Sequence, residues 1–295
     1  MNRRRADLAL LGNTVIWGAT FTLVKTTIRS ISPILFLALR FSLATVALAI
    51  FFRFRRGRAA ERRWKGSWWP GVLVGALLFC GYLLQTQGLR FTSAPKSAFL
   101  TGLASVMVPL LGALVYRNRP QVSEVAGVLV ATTGLGLMTL PGAVGSIGRG
   151  DLLTLLGALS FAAHIVALGH FSERMSFEFL SVMQVGTAAV LSLASCWWAE
   201  RPYAEWRPVV VCAILITGFL ATALAFTVQA WAQQFTTAPR TALIYMLEPV
   251  VAWMTSYVLA GENLTGRAAV GAVLILGGVT LVEMKPLYPR LHPSQ

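Results

Sequence analysis

Polar and ionisable side chains that fall inside long apolar stretches are where this sequence could do chemistry. Each costs free energy in hydrocarbon unless it faces protein, reaches back to the surface or lines a wet path. Asn13, Trp17, Arg40, Tyr82, Gln85, His164, Gln184, Gln229 and Tyr245 are such residues and form a candidate substrate-binding set. Arg40 lies roughly two turns, about 10 Å, inside its apolar stretch. Its charge could bridge helix-end carbonyls or attract an anionic group of a solute. Trp17 and Tyr245 offer flat apolar faces with a polar edge, suited to amphipathic or aromatic solutes or to helix packing. For the amides and His164, interhelical hydrogen bonds are the alternative to solute contact.

Glu248 stands directly before Pro249 within another apolar stretch. A protonated carboxyl there could donate to the carbonyl that a proline leaves without its usual donor. Otherwise it could carry a proton in coupling. No metal or cofactor is expected, because His164, His170 and His292 lack ligand spacing. Cys80, Cys196 and Cys212 lack paired spacing and read as small packing residues. The chain has 11 acids in all, no His-Glu-x-x-His and no glycine-rich phosphate loop with a lysine. An enzyme or an ATP-driven pump is therefore not expected. The rival readings are a membrane-embedded lipid-modifying enzyme and a non-transporting scaffold, both separable from transport by a flux measurement.

What must position these residues is a membrane bundle. Of 295 residues 56% are hydrophobic and 12% charged, too few polar groups to coat a soluble domain. Apolar stretches long enough to cross roughly 30 Å of hydrocarbon recur along the chain. They predict ten spans near 7–28, 33–53, 68–90, 94–116, 121–140, 151–170, 176–199, 207–233, 238–260 and 266–284. The net charge of +14 resides in short links beside them, where lipid and topology account for it, so nucleic acid is not an expected partner. The expected partners are the lipid bilayer, a small-molecule substrate and, through Glu248, protons. With the N-terminus inside, sixteen of the 25 bases face the cytoplasm and seven face out, while Lys25 and Arg40 lie within spans. This predicts an inner-membrane protein with both termini cytoplasmic. Trp64, Trp68, Trp69, Trp197, Trp198 and Trp206 fall at span ends, as an interfacial belt does.

The chain also repeats itself. Phe91-Thr92-Ser93-Ala94-Pro95-Lys96-Ser97-Ala98 aligns with Phe235-Thr236-Thr237-Ala238-Pro239-Arg240-Thr241-Ala242, 144 residues on. The same offset pairs Asp7 with Asp151, Trp17 with Phe161, Arg40 with Gln184, Gln85 with Gln229, Gly127 with Gly271, and Gly134 with Gly278. The chain therefore divides into five-helix copies at 7–140 and 151–284. Five spans is an odd number, so equivalent segments end on opposite faces and the copies are predicted to be inverted. The link Arg53 to Lys65 carries seven bases and one acid, whereas Arg201 and Arg207 in its counterpart are balanced by Glu200 and Glu205. The expected architecture is all-α: ten transmembrane helices as two inverted five-helix repeats around a central cavity. The glycine pairs, seven residues apart, predict close helix packing. Ser93 and Thr237 are candidate helix caps before Pro95 and Pro239.

Further residues resemble a known family. Leu247-Glu248-Pro249-Val250, Gly261-Glu262-Asn263-Leu264-Thr265 and Gly271 to Val279 are similar to segments of the ten-helix, EamA-type branch of the drug/metabolite transporter superfamily, as are Trp17-Gly18 and Leu39-Arg40-Phe41. The resemblance covers nearly the whole chain. It implies a secondary transporter, an exporter of small metabolites such as amino acids or related amphipathic compounds. Asn118 stands where the second copy has Glu262, and Ala104-Ser105 where it has Glu248-Pro249, so whatever Glu248 does, one copy alone does it.

Overall fold

The computed structural model describes residues 3–54, 67–92, 94–117, 122–140, 148–260 and 265–283. The basic link after Arg53, Trp64, Ser93, Asn118, Glu262 and Asn263 lie outside the described residues, as do the side chains of Lys25 and Lys96.

Backbone polar groups cannot go unpaired in lipid, and a helix satisfies them within one segment. The described residues are accordingly helical: α1 Arg3–Thr27, α2 Pro33–Phe54, α3 Trp69–Gly88, α4 Ala94–Gly102, α5 Ala104–Tyr116, α6 Val122–Thr139, α7 Arg149–Ser172, α8 Phe177–Ala199, α9 Pro208–Gly218, a π segment Phe219–Leu224, α10 Ala225–Ala232, α11 Ala238–Tyr245, α12 Glu248–Ala260 and α13 Gly266–Glu283. Six stretches among the described residues are long and apolar enough to cross a membrane: Pro33–Arg53, Trp69–Gly88, Phe99–Tyr116, Arg149–Ser172, Phe177–Ala199 and Pro208–Ala232. Val125–Met138 and Gly266–Leu281 are shorter apolar helices. Leu114, Val190, Leu193, Val270 and Val273 point outward, as lipid-facing side chains do.

Helix starts follow local chemistry. Asp151 accepts the Gly148 N–H at 2.8 Å ahead of α7, and Ser176 accepts the Phe179 N–H at 3.3 Å ahead of α8. Thr237 has the extended backbone of a cap, but its side chain makes no capping bond; Pro239 in the first turn removes one of the donors it would serve. The stretches 94–116 and 238–260 are not continuous helices. Each breaks, at Leu103 and at Met246-Leu247, positions that the 144-residue offset brings into register.

The copies pack on each other helix for helix. In the α6–α13 pair, a Cβ on Gly278 would stand 2.5 Å from the Gly127 carbonyl, and one on Gly271 2.5 Å from that of Gly134. Contacts that ascend α6 descend α13, so these equivalent helices run antiparallel. The equivalent helices α2 and α8 do the same: the Leu35 N–H donates to Glu200 Oε1 at 2.9 Å, Gly186 lies against Thr45, and Phe52 meets Phe177 at 6.2 Å. Helix α3 packs on α7 and α8, and the corresponding unit, α9 to α10, packs on α1 and α2. The apolar core where α2, α3, α8 and α10 meet contains Phe36, Phe41, Leu48, Leu78, Val185 and Phe226.

The cysteines do not all pack inside the bundle as expected. Cys196 is buried as a packing residue should be, but Cys80 and Cys212 are exposed on the outer faces of α3 and α9. A helix that is apolar all round does not declare which side faces lipid.

Candidate functional site

The site is organised by the π segment. Its wider turn presents backbone carbonyls to side chains from neighbouring helices. The Ala221 carbonyl accepts the Trp17 Nε1–H at 2.8 Å and an Arg40 Nη2–H at 3.1 Å. Just beyond it, the Ala225 carbonyl accepts from Asn13 Nδ2 at 2.8 Å, and the Phe226 carbonyl from Gln184 Nε2 at 3.4 Å. Helices α1, α2 and α8 are thus tied to one carbonyl-bearing spine. Thr222 belongs to it as well, its hydroxyl accepting from Arg40 Nε at 2.6 Å. Sequence reasoning passed over Thr222 and the spine, because Phe219 to Leu224 contains no proline or glycine to mark an irregular turn.

Arg40 is the centre of charge. It is 4% exposed, and its guanidinium stacks over the Tyr82 ring at 4.9 Å, with Nη2 donating to the Tyr82 hydroxyl at 3.3 Å. Among the described residues no carboxylate lies within ion-pair distance of it, and Nη1 has no hydrogen-bond partner. A buried guanidinium held by dipoles and an aromatic face can form charge-assisted hydrogen bonds with an anionic group. The contrast is Arg240, which donates to both Asp7 oxygens at 3.0 and 2.9 Å and closes α11 onto the start of α1.

Around Arg40 the aromatic side chains converge. Trp17 meets Tyr245 edge-on at 4.9 Å and Phe226 at 5.5 Å; Tyr82 meets Phe161 at 5.2 Å and Phe226 at 6.4 Å. His164 reaches the same Phe226 ring at 5.9 Å, and its Nε2 shares a hydrogen bond of 2.8 Å with Gln184 Oε1. Asn13, His164 and Gln184 are buried and bonded, so they tie helices together. Trp17, Tyr82 and Tyr245 are half-buried, less enclosed than those three.

Gln85 and Gln229 make their hydrogen bonds elsewhere, with Thr101 at 3.0 Å and Gln233 at 3.4 Å. The Gln229 side-chain amide oxygen, Oε1, is buried without a partner among the described residues. Glu248 is not in mid-helix, as its place in the apolar run suggested. It heads α12, half-buried, and its carboxyl makes no hydrogen bond to a described residue, while its carbonyl lies against Gly18 of α1. No group of three or more potential metal ligands occurs among the described residues.

Twin sets of long apolar helices around a buried cationic and aromatic cluster are the layout of a multi-pass membrane protein, and the comparisons with known proteins give its class as a transporter. The model of the EamA-like transporter family matches residues 4–140 and again 148–284, two matches set apart by the same 144 residues as the internal repeat. The chain belongs to the EamA-like transporter family. It is 32% identical over 285 residues to a protein of Archaeoglobus fulgidus named "Uncharacterized transporter", covering 97% of this chain and 88% of that one. It is 28% identical over 298 residues to a Salmonella typhimurium protein named "Probable amino-acid metabolite efflux pump", covering 95% and 94%. A solved crystal structure shares the fold, with a TM-score of 0.80 at 20% identity over 95% of this chain and 96% of that one.

Proposed function

We propose that this transporter exports small carboxylate-bearing metabolites of the amino-acid class across the inner membrane. Arg40 takes the carboxylate, and Trp17, Tyr82 and Tyr245 take the apolar body. The observation that carries this proposal is the buried guanidinium of Arg40, in an aromatic surround and with no carboxylate partner among the described residues. The name of the Salmonella typhimurium relative agrees with it. Ten helices cross the bilayer, both termini are cytoplasmic, and the two copies are inverted about a shared chamber. The antiparallel pairing of α6 with α13 and of α2 with α8 supports that inversion. In such an architecture, exchanging the conformations of the halves exchanges the side to which the chamber opens.

The test is uptake of radiolabelled amino acids into proteoliposomes holding the purified chain, beside a thermal-shift screen of the same compounds. A ligand that binds only the native form raises the apparent Tm. Saturable uptake with a matching Tm rise is expected. Uptake no faster than in protein-free vesicles across the whole series would remove the proposal.

Glu248 is assigned to proton coupling, as a carboxyl at an intramembrane helix start with no hydrogen-bonded partner in the described residues. Glu248→Gln is expected to abolish flux driven by a pH gradient while downhill solute exchange and folded yield persist. Gradient-driven flux equal to that of the unmodified chain would leave Glu248 with a structural role at the start of α12.

A further inference from the structure

A cavity of about 740 Å³ opens at the end of the bundle where α1 and α3 finish and α2 begins. Its walls include Val24, Pro33 and Thr86, and its rim carries Arg29, Arg90 and Arg201. Among the described residues none of these three arginines has a carboxylate within ion-pair distance, whereas Arg207 nearby pairs with Glu205 at 2.7 Å. Arg90 reaches Gln87 Oε1 at 3.3 Å. The acid in the lining, Glu200, has one oxygen committed to the Leu35 N–H and the other buried. Asp151, behind Thr92, accepts the Thr92 hydroxyl at 2.6 Å. The cavity mouth is therefore net positive.

Each wall helix leads inward to the site. Val24 lies two turns from Trp17 on α1, Pro33 two turns from Arg40 on α2, and Thr86 one turn from Tyr82 on α3. At 1.5 Å per residue, Arg40 stands about 10 Å below the rim on the same helix faces. Bases on the outer side of an inner membrane run against the usual bias, and three of them gather on this one mouth.

We infer that this mouth is a second binding site, a staging site that holds the carboxylate of an amphipathic solute between the Arg40 cluster and bulk water. The assignment rests on the proposed transport of carboxylates and adds a subsite with its own residues, Arg29 and Arg201 foremost. A cationic, low-dielectric mouth concentrates anions and repels cations, an effect that salt screens.

The experiment reads the mouth directly and needs no transported substrate. Leu89, in the cavity wall, is replaced by cysteine in a background lacking the three native cysteines. Its modification by a sulfonate-bearing and by a trimethylammonium-bearing methanethiosulfonate is timed in neutral detergent, each rate normalised to a free thiol. The anionic reagent is expected to gain about tenfold over the cationic one at low salt. That preference should fall to near unity in 1 M salt and in Arg29→Gln/Arg201→Gln. Benzoate should slow the anionic reagent where phenethylammonium does not. A ratio near unity in the parent, or one unmoved by the arginine changes, overturns the inference. So does a preference that benzoate leaves intact but anionic phospholipid in nanodiscs abolishes, which would make the occupant a lipid headgroup. Saturable amino-acid flux with no charge preference at Leu89 sinks this subsite alone; benzoate protection without any saturable flux sinks the transport proposal alone.

Discussion

Arg40→Gln is expected to lower saturable flux of carboxylate-bearing solutes by about a hundredfold while leaving Tm unchanged or slightly raised. The two effects separate the possible duties of this side chain. Charge-assisted hydrogen bonds to a carboxylate contribute about 1.5–3 kcal/mol each, and about 2.7 kcal/mol is a hundredfold in affinity. The stability of the empty protein should not suffer, because a buried guanidinium without a counter-ion is itself a cost to the fold. Arg40→Lys keeps the charge but cannot reproduce the fork that spans Thr222 and Ala221, so an intermediate loss, of order tenfold, is expected. Arg207→Gln, at an exposed ion pair, serves as the neutral control. Full flux in Arg40→Gln together with a marked fall in Tm would show that Arg40 only braces the π segment.

The largest expected loss of stability comes from Gly271→Leu. A Cβ there would stand 2.5 Å from the Gly134 carbonyl oxygen and 2.9 Å from the Met138 nitrogen, both main-chain atoms. Neither can yield without moving α6 bodily. Between membrane helices, close backbone approach and its dispersion contacts supply the attraction that water would otherwise drive, so separating the pair removes its main source of affinity. The cost should reach about 3 kcal/mol or more, seen as a sharp fall in folded yield and Tm in detergent. Gly134→Leu should behave alike, because its Cβ would overlap the Gly271 carbonyl. Gly277→Leu meets nothing within 4 Å and should be neutral. Equal behaviour of Gly271→Leu and Gly277→Leu would mean that α6 and α13 do not pack as described.

These glycines were legible in the sequence. Their spacing of seven marks one helix face, and their 144-residue offset marks equivalent helices. The helical stretches were legible too, since hydrocarbon demands long apolar runs whatever they pack against. The faces of those helices were not. Where both lipid and protein interior are apolar, Cys80 and Cys196 look alike in sequence, and only the fold separates the exposed one from the buried one. The helix breaks were not legible: 94–116 and 238–260 read as unbroken apolar runs, and although Pro249 follows one break, the copy at Leu103 has no proline, so the break belongs to the repeated packing. The pairing of Asp7 with Arg240 was invisible, because 233 residues separate them and no local pattern records their contact. For the site, the sequence picked out the polar residues by their cost in lipid. It could not sort Trp17, Arg40 and Tyr82, which converge, from Gln85 and Gln229, whose hydrogen bonds lie apart.

Exchange of access between the two sides requires the two copies to lie upside down relative to each other in the bilayer. Single cysteines at Ser67, in the link before α3, and at Glu205, in the link before α9, probe corresponding regions of the two copies in a background lacking the native thiols. A membrane-impermeant maleimide applied to intact cells should label the cysteine at 205 and reach the one at 67 only after the membrane is opened. Labelling of both from the same side would contradict the antiparallel arrangement and the shared chamber built on it.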